Sequence, residues 1–222
     1  MLDYFKEYWY LALLLLATVI FTCWVISKAY KASAESRRIR DEQMKRIDYE
    51  NGVVRDFSEL SEEKLDTAEP KRAFDGVALN IQRRLEKQPD MQAAFFALTD
   101  AQRYIYALYY LAEDSEKSLS EFFRCNGAPL TPCALEAVRM LFPEDAAGIF
   151  EQEYRAYDPD NEEVSLISAQ TERLDTEFKA AMEEFDMYKI CVGYIRKNVT
   201  DFLFPDGLQN FLKQQKSRLT FF

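Results

Sequence analysis

The side chains able to do chemistry in this 222-residue chain are carboxylates and four cysteines; there is no histidine. Without imidazole, the commonest general base and the commonest metal ligand are both missing, so serine-type triads, cysteine–histidine nucleophiles and mixed Cys/His zinc sites have no means of forming. The densest candidate is AEDSEKSLSEFFRCNGAPLTPCALEAV, residues 112–138, where Glu113, Asp114, Glu116 and Glu121 lie near Cys125 and Cys133. These two cysteines are not spaced as a CxxC pair, and nothing nearby completes a tetrahedral set, so packing is the favoured reading. The four carboxylates bunch at a helix boundary. Acid–base catalysis needs convergence in space, which proximity along the chain does not supply, and solvated helix ends are the expectation.

The segment DPDNEE, residues 158–163, opens like an EF-hand with Asp158, Asp160 and Glu162. Glu163 then stands where the sharp-turn glycine belongs and Ala169 where the bidentate glutamate belongs, which reduces it to a weak calcium site or, more simply, a solvated acidic loop. Glycine is scarce, with 6 in all, which argues against a phosphate-cradling loop and against turn-dense β architectures. With no nucleophile–base pair, metal set or phosphate loop visible, the expectation is a non-enzymatic protein with no catalytic residue, metal or cofactor.

The elements that must position these groups begin with a membrane anchor. Between Glu7 and Lys28 lies YWYLALLLLATVIFTCWVIS, residues 8–27, without a formal charge; as a helix it would span roughly 30 Å of hydrocarbon. Tyr8, Trp9 and Tyr10 at one end and Trp24 at the other fall where interfacial aromatics are expected, with Lys28 and Lys31 just beyond. The flank before the span carries Asp3, Lys6 and Glu7; the flank after it carries Lys28, Lys31, Arg37, Arg38 and Arg40. Positive charge stays inside. The expected arrangement is therefore a single pass through the cell (inner) membrane, with residues 1–7 a short extracytoplasmic N-terminus and the rest cytoplasmic. A cleaved signal peptide at Ala32-Ser33-Ala34 is disfavoured by the non-basic start, the long apolar core and the intervening lysines. Cys23 reads as a small apolar residue of the span and Cys191 as part of an apolar stripe; Asn198-Val199-Thr200 matches a glycosylation sequon that a cytoplasmic position leaves unused.

Residues 28–52 read as a polar helical stalk stopped at Asn51-Gly52, and residues 53–69 as an acidic linker with a helical turn. From Pro70 the apolar residues recur at helical spacing. Phe74, Val77, Ala78, Ile81 and Leu85 form one stripe, and Ile105, Leu108, Tyr109 and Ala112 another, the latter behind a Thr99/Gln102 capping box. Thr131-Pro132 predicts a further helix start, and Pro143 another. Nothing alternates at period two. The fold expected is all-α: a single transmembrane helix followed by a cytoplasmic multi-helix domain over residues 70–222.

Charge is distributed unevenly within the net of −10. From Glu151 to Asp186 there are 12 acidic and 3 basic side chains, a local net of −9. The run YIYALYY, residues 104–110, places aromatic rings on more than one helix face; Tyr104, Tyr106 and Tyr110 make it a candidate docking or homodimer surface.

The order LTDAQRYIYALYYLAED, LSEFFRCNGAPLTPCALEAVRMLFPEDAAGIFEQEYRAY, LDTEFKAAMEEFDMYKICVGYIRKNVTDF resembles the helical domain of the bacterial DNA-mimic protein family, over roughly residues 90–204. Glu113 and the pair Phe122-Phe123 match the family pattern, whereas Lys117-Ser118 replace its glycines, Leu119 its aromatic residue and Glu121 its glutamine. The resemblance implies an often dimeric domain whose surface carboxylates imitate DNA phosphates and occupy the basic site of a DNA-binding regulator. On this reading the partner contacts are Glu151, Glu153, Asp158, Asp160, Glu162, Glu163, Glu172, Asp175 and Glu177, and the partners are the lipid bilayer and a basic protein, with no direct nucleic-acid binding. Two alternatives use the same residues differently: a structural or assembly subunit of a membrane complex docking through the aromatic helix, and an immunity-type inhibitor.

Overall fold

The structure, a computed structural model, describes residues 2–116, 118–157 and 169–203. Among these residues every regular element is helical and none is a strand. The chain divides into two units, Met1–Tyr49 and Glu50–Phe222.

The first unit is the greater part of helix α1 (Leu2–Asp56). Its apolar run is exposed all round, with Leu14 at 65% and Leu15 at 68%. This is the one helix among the described residues long and apolar enough to cross a membrane. Thr18 and Thr22 do not interrupt it, because each hydroxyl donates to a carbonyl one turn back, to Leu14 O and Thr18 O, both at 2.8 Å. The stalk portion is exposed and mostly polar, with scattered apolar side chains such as Ile39 and Met44, and carries local pairs such as Arg38 with Glu35 at 2.7 Å, which contribute little when exposed.

The second unit begins within the last turns of α1, which corrects two sequence expectations. The helix does not stop at Gly52, and residues 53–69 are not simply a linker: Val53, Val54 and Phe57 are buried in the core, as is Leu65 of α2 (Glu62–Thr67). A glycine inside a helix costs only about 1 kcal/mol, which burial of two valines and a phenylalanine outweighs at roughly 1.5–3 kcal/mol for each side chain fully buried. Asn80 Nδ2 donates to Val54 O (3.1 Å), and Arg72 meets Asp56 at 2.5 Å. A Cβ at position 76 would overlap the ring of Phe57, so this close passage requires the glycine that Gly76 supplies.

Helix α3 (Pro70–Leu85) is followed by α4 (Met91–Phe96) and α5 (Asp100–Asp114). The capping box at the start of α5 is present, with Gln102 N donating to Thr99 Oγ1 (3.3 Å) and Thr99 N to Gln102 Oε1 (3.1 Å). After it come α6 (Leu119–Cys125), α7 (Leu130–Leu141), α8 (Glu144–Ala156), α9 (Ala169–Glu184), α10 (Met187–Lys197) and a 3-10 turn, Val199–Phe202. Helix α5 is central, packing on α3, α6, α7 and α10, while α6, α8 and α9 pack on one another. Phe122, Phe123 and Phe150 join the second group, with Phe123 and Phe150 ring centroids 5.2 Å apart.

One further helix boundary differs from expectation. Helix α7 starts at Leu130, before Thr131-Pro132, and Thr131 is buried. Helix α6 ends at Cys125 with Asn126 as its cap, whose Nδ2 donates to Phe122 O (2.9 Å) and Asp114 Oδ2 (2.7 Å).

Candidate functional site

In the anchor, Tyr10, Trp24, Lys28 and Lys31 are exposed. Lys28 Nζ lies over the Trp24 ring at 5.0 Å, the pairing expected where an aromatic belt meets a basic flank. The side chains of Tyr8 and Trp9 lie outside those described.

The acidic segment divides sharply once its helices are in place. Glu151 on α8 binds Arg139 of α7 (2.5 Å) and Arg155 one turn on; the hydrogen bond from Arg139 leads the causes that hold its carboxyl below the usual range. Glu172 is exposed, and Glu177 is exposed and lies 3.5 Å from Arg173. Asp158, Asp160, Glu162 and Glu163, with the rest of the EF-hand-like segment, lie outside the described residues.

Glu153 cannot be the surface contact the sequence suggested. It is 1% exposed, because it continues the inner face of α8 behind Ala146 and Phe150 at helical spacing. Its Oε1 lies 2.7 Å from Ser120 Oγ of α6, while Oε2 is buried with no hydrogen-bond partner among the described residues. Burial pushes the Glu153 carboxyl up to about 8, with the Asp175 charge adding to the rise and Ser120 opposing it. Asp175 is half-buried and turned inward: its Oδ1 accepts from Ser120 N (2.9 Å), and its Oδ2 lies 3.0 Å from Ser120 Oγ. Sequence reasoning missed this cluster, although the Ala146, Phe150, Glu153 spacing was a usable signal.

The tyrosine surface also needs correction. Tyr104 and Tyr106, at 9% and 7% exposure, are part of the chain's own core, because α5 has helices on several sides. Only Tyr110 of the three is half-buried. Tyr106 and Tyr110 pack edge to face, hydroxyls 3.4 Å apart, beside an apolar groove of about 370 Å³ lined also by Leu85, Met91, Phe95 and Pro129.

Packing accounts for Cys133 and Cys191 but not for Cys125, whose expected core role is corrected by its exposure at the end of α6. Cys133 and Cys191 are buried, and burial pushes the Cys133 thiol up to about 12 and that of Cys191 higher still; neither is a thiolate near neutral pH. Cys125 is exposed, its Sγ 3.9 Å from Glu121 Oε1. Glu113 lies 3.9 Å from Lys71, which pairs with buried Asp75 at 2.9 Å, and Glu121 pairs with Arg124 at 3.0 Å. Among the described residues no group of three metal-ligating side chains converges. No protein-family model, curated protein or solved structure matches the chain.

Proposed function

We propose that the chain is a membrane-tethered, non-enzymatic binding module. Its apolar run spans the cell membrane once with the N-terminus outside, and its helical domain works at the cytoplasmic face by capturing a basic protein. The observation that carries this reading is the exposed run of leucines on α1, long and apolar enough to cross a bilayer, whose threonine hydroxyls are satisfied within the helix. Such a surface is stable in hydrocarbon and not in water.

For the domain, the acidic field is the supporting feature. The segment Glu151 to Asp186 keeps a strongly negative balance even when Glu153 is neutral, and a field of that sign attracts and steers a Lys/Arg-rich partner. Contact passes to Glu172, Glu177, Asp158, Asp160, Glu162 and Glu163, since Glu153 and Asp175 are turned inward and Glu151 is held between two arginines. The resemblance to DNA-mimic domains makes a DNA-binding regulator the partner class of first choice. A second reading, docking of a membrane-complex subunit, is favoured by the groove beside Tyr110, in whose lining Met91 is exposed.

Salt and charge separate the two. The full-length chain, captured from membranes in detergent, releases its partner as salt approaches about 1 M if the field holds it. Neutralising the six contact carboxylates together abolishes capture without changing thermal unfolding. Retention through both treatments would reject the electrostatic reading and leave the groove. An intact N-terminus by mass spectrometry of the membrane fraction, with the domain resistant to protease added outside cells, is the outcome required of the anchor and its orientation.

A further inference from the structure

The contacts around Ser120 can be counted in protons. Ser120 Oγ has one hydrogen to donate and lies at hydrogen-bond distance from two carboxyl oxygens, Glu153 Oε1 at 2.7 Å and Asp175 Oδ2 at 3.0 Å. Ser120 N–H is already committed to Asp175 Oδ1. With both acids ionised, one of the short oxygen–oxygen contacts has no hydrogen in it, and Glu153 Oε2 stays buried without a donor. One added proton fills the empty contact: a neutral Glu153 donates from Oε1 to Ser120 Oγ, which passes its own hydrogen to Asp175 Oδ2, while Oε2 is left as a neutral carbonyl oxygen whose burial costs less than that of a carboxylate.

We infer that Glu153 folds as the neutral acid and that its proton, shared with Asp175 across Ser120, is a pH-sensitive latch joining α6, α8 and α9. Among the described residues no cation is paired with either carboxylate. From α9 the titratable group that faces Glu153 is Asp175, and from α6 the facing group is the Ser120 hydroxyl. On α7 and α8, Arg139 and Arg155 are both occupied by Glu151. Lys179 and Glu116 line the shallow groove beside Asp175, and among the described residues neither Glu153 nor Asp175 has an ion pair within 4.0 Å. Deprotonation therefore places a second negative charge on a buried carboxylate that shares the Ser120 hydroxyl with Asp175, so burial and like-charge repulsion both oppose it.

The sign follows from linkage. The carboxyl titrates near 4.5 when unfolded and near 8 when folded, so the stabilisation is complete below the lower value and is lost as pH rises through the upper one. Helix α9 is the element released, since Asp175 ties it to Ser120 of α6 and only through that hydroxyl to Glu153 of α8.

The test uses the full-length chain in detergent. Its thermal midpoint falls by on the order of 5 °C between about pH 6 and about pH 9, while Glu153→Gln, which keeps the shape and supplies a fixed donor, shows a flatter profile over the same interval. Infrared difference spectra of the unmutated protein give a readout that does not depend on any variant folding. A protonated-carboxyl C=O band is present at neutral pH, disappears through about pH 8, and is absent from Glu153→Gln where that variant folds. A band that titrates only in the ordinary carboxylate range overturns the inference. So does a midpoint at about pH 8 that rises on adding potassium, magnesium or calcium ions, since a cation would then occupy the space assigned to the proton.

Discussion

Two helices of similar apolar character meet opposite fates in this molecule. The first half of α1 and the whole of α5 both carry leucine, isoleucine and several tyrosines, yet Leu15 is 68% exposed and Leu108 is 0% exposed. The difference lies in their companions. Helix α5 carries a capping box at its start and Gln102, whose side-chain amide reaches Asp201 O at 2.5 Å, and it sits among α3, α6, α7 and α10. The run in α1 has an uncharged stretch long enough for a bilayer and hydroxyls folded back onto its own carbonyls. Apolar content alone therefore does not say which medium a helix is built for; the treatment of its polar groups does.

The largest effect that could break this comparison is a core truncation. Leu108→Ala should lower domain stability by about 2–5 kcal/mol, whereas Leu15→Ala should leave the domain's denaturant midpoint unchanged, both measured by chemical unfolding in detergent. Equal effects would mean that the α1 run packs against protein after all. A smaller contrast uses the threonines. Thr99→Ala removes the α5 cap and should cost about 1 kcal/mol, while Thr18→Ala, which removes only a bond to its own helix, should be close to neutral. The smallest concerns surface charge: Glu177→Gln should change stability by less than about 0.5 kcal/mol, because its partner Arg173 is exposed on the same helix. A larger loss would place Glu177 in an interaction that the isolated chain does not reveal.

Within α8 the same lesson appears on a scale of two residues. Glu151 and Glu153 look alike in a count of acidic side chains, but one stands between two arginines at the surface and the other is sealed against Ser120 and Asp175. The acidic stretch was recognisable as a stretch. Its division into outward and inward carboxylates was not read, although the turn-by-turn spacing of Ala146, Phe150 and Glu153 pointed to it. Asp175 was harder, because its inward turn depends on where the first residues of α6 lie, and these are distant in sequence. For the tyrosines, aromatic rings on several faces of one helix signalled extensive burial, but whether a second molecule or the same chain provides it depends on how many neighbours surround α5.

Helical character, the capping box of α5, the apolar run of α1 and the absence of histidine chemistry follow from local spacing and composition, because backbone propensity, side-chain capping and period are properties of neighbours in sequence. Which carboxylate keeps a proton, which tyrosine reaches the surface, and why α1 continues past Gly52 into the core depend on groups brought together from far apart along the chain. Those outcomes are set by desolvation and packing, whose magnitudes exceed local propensity and exist only once the helices have assembled.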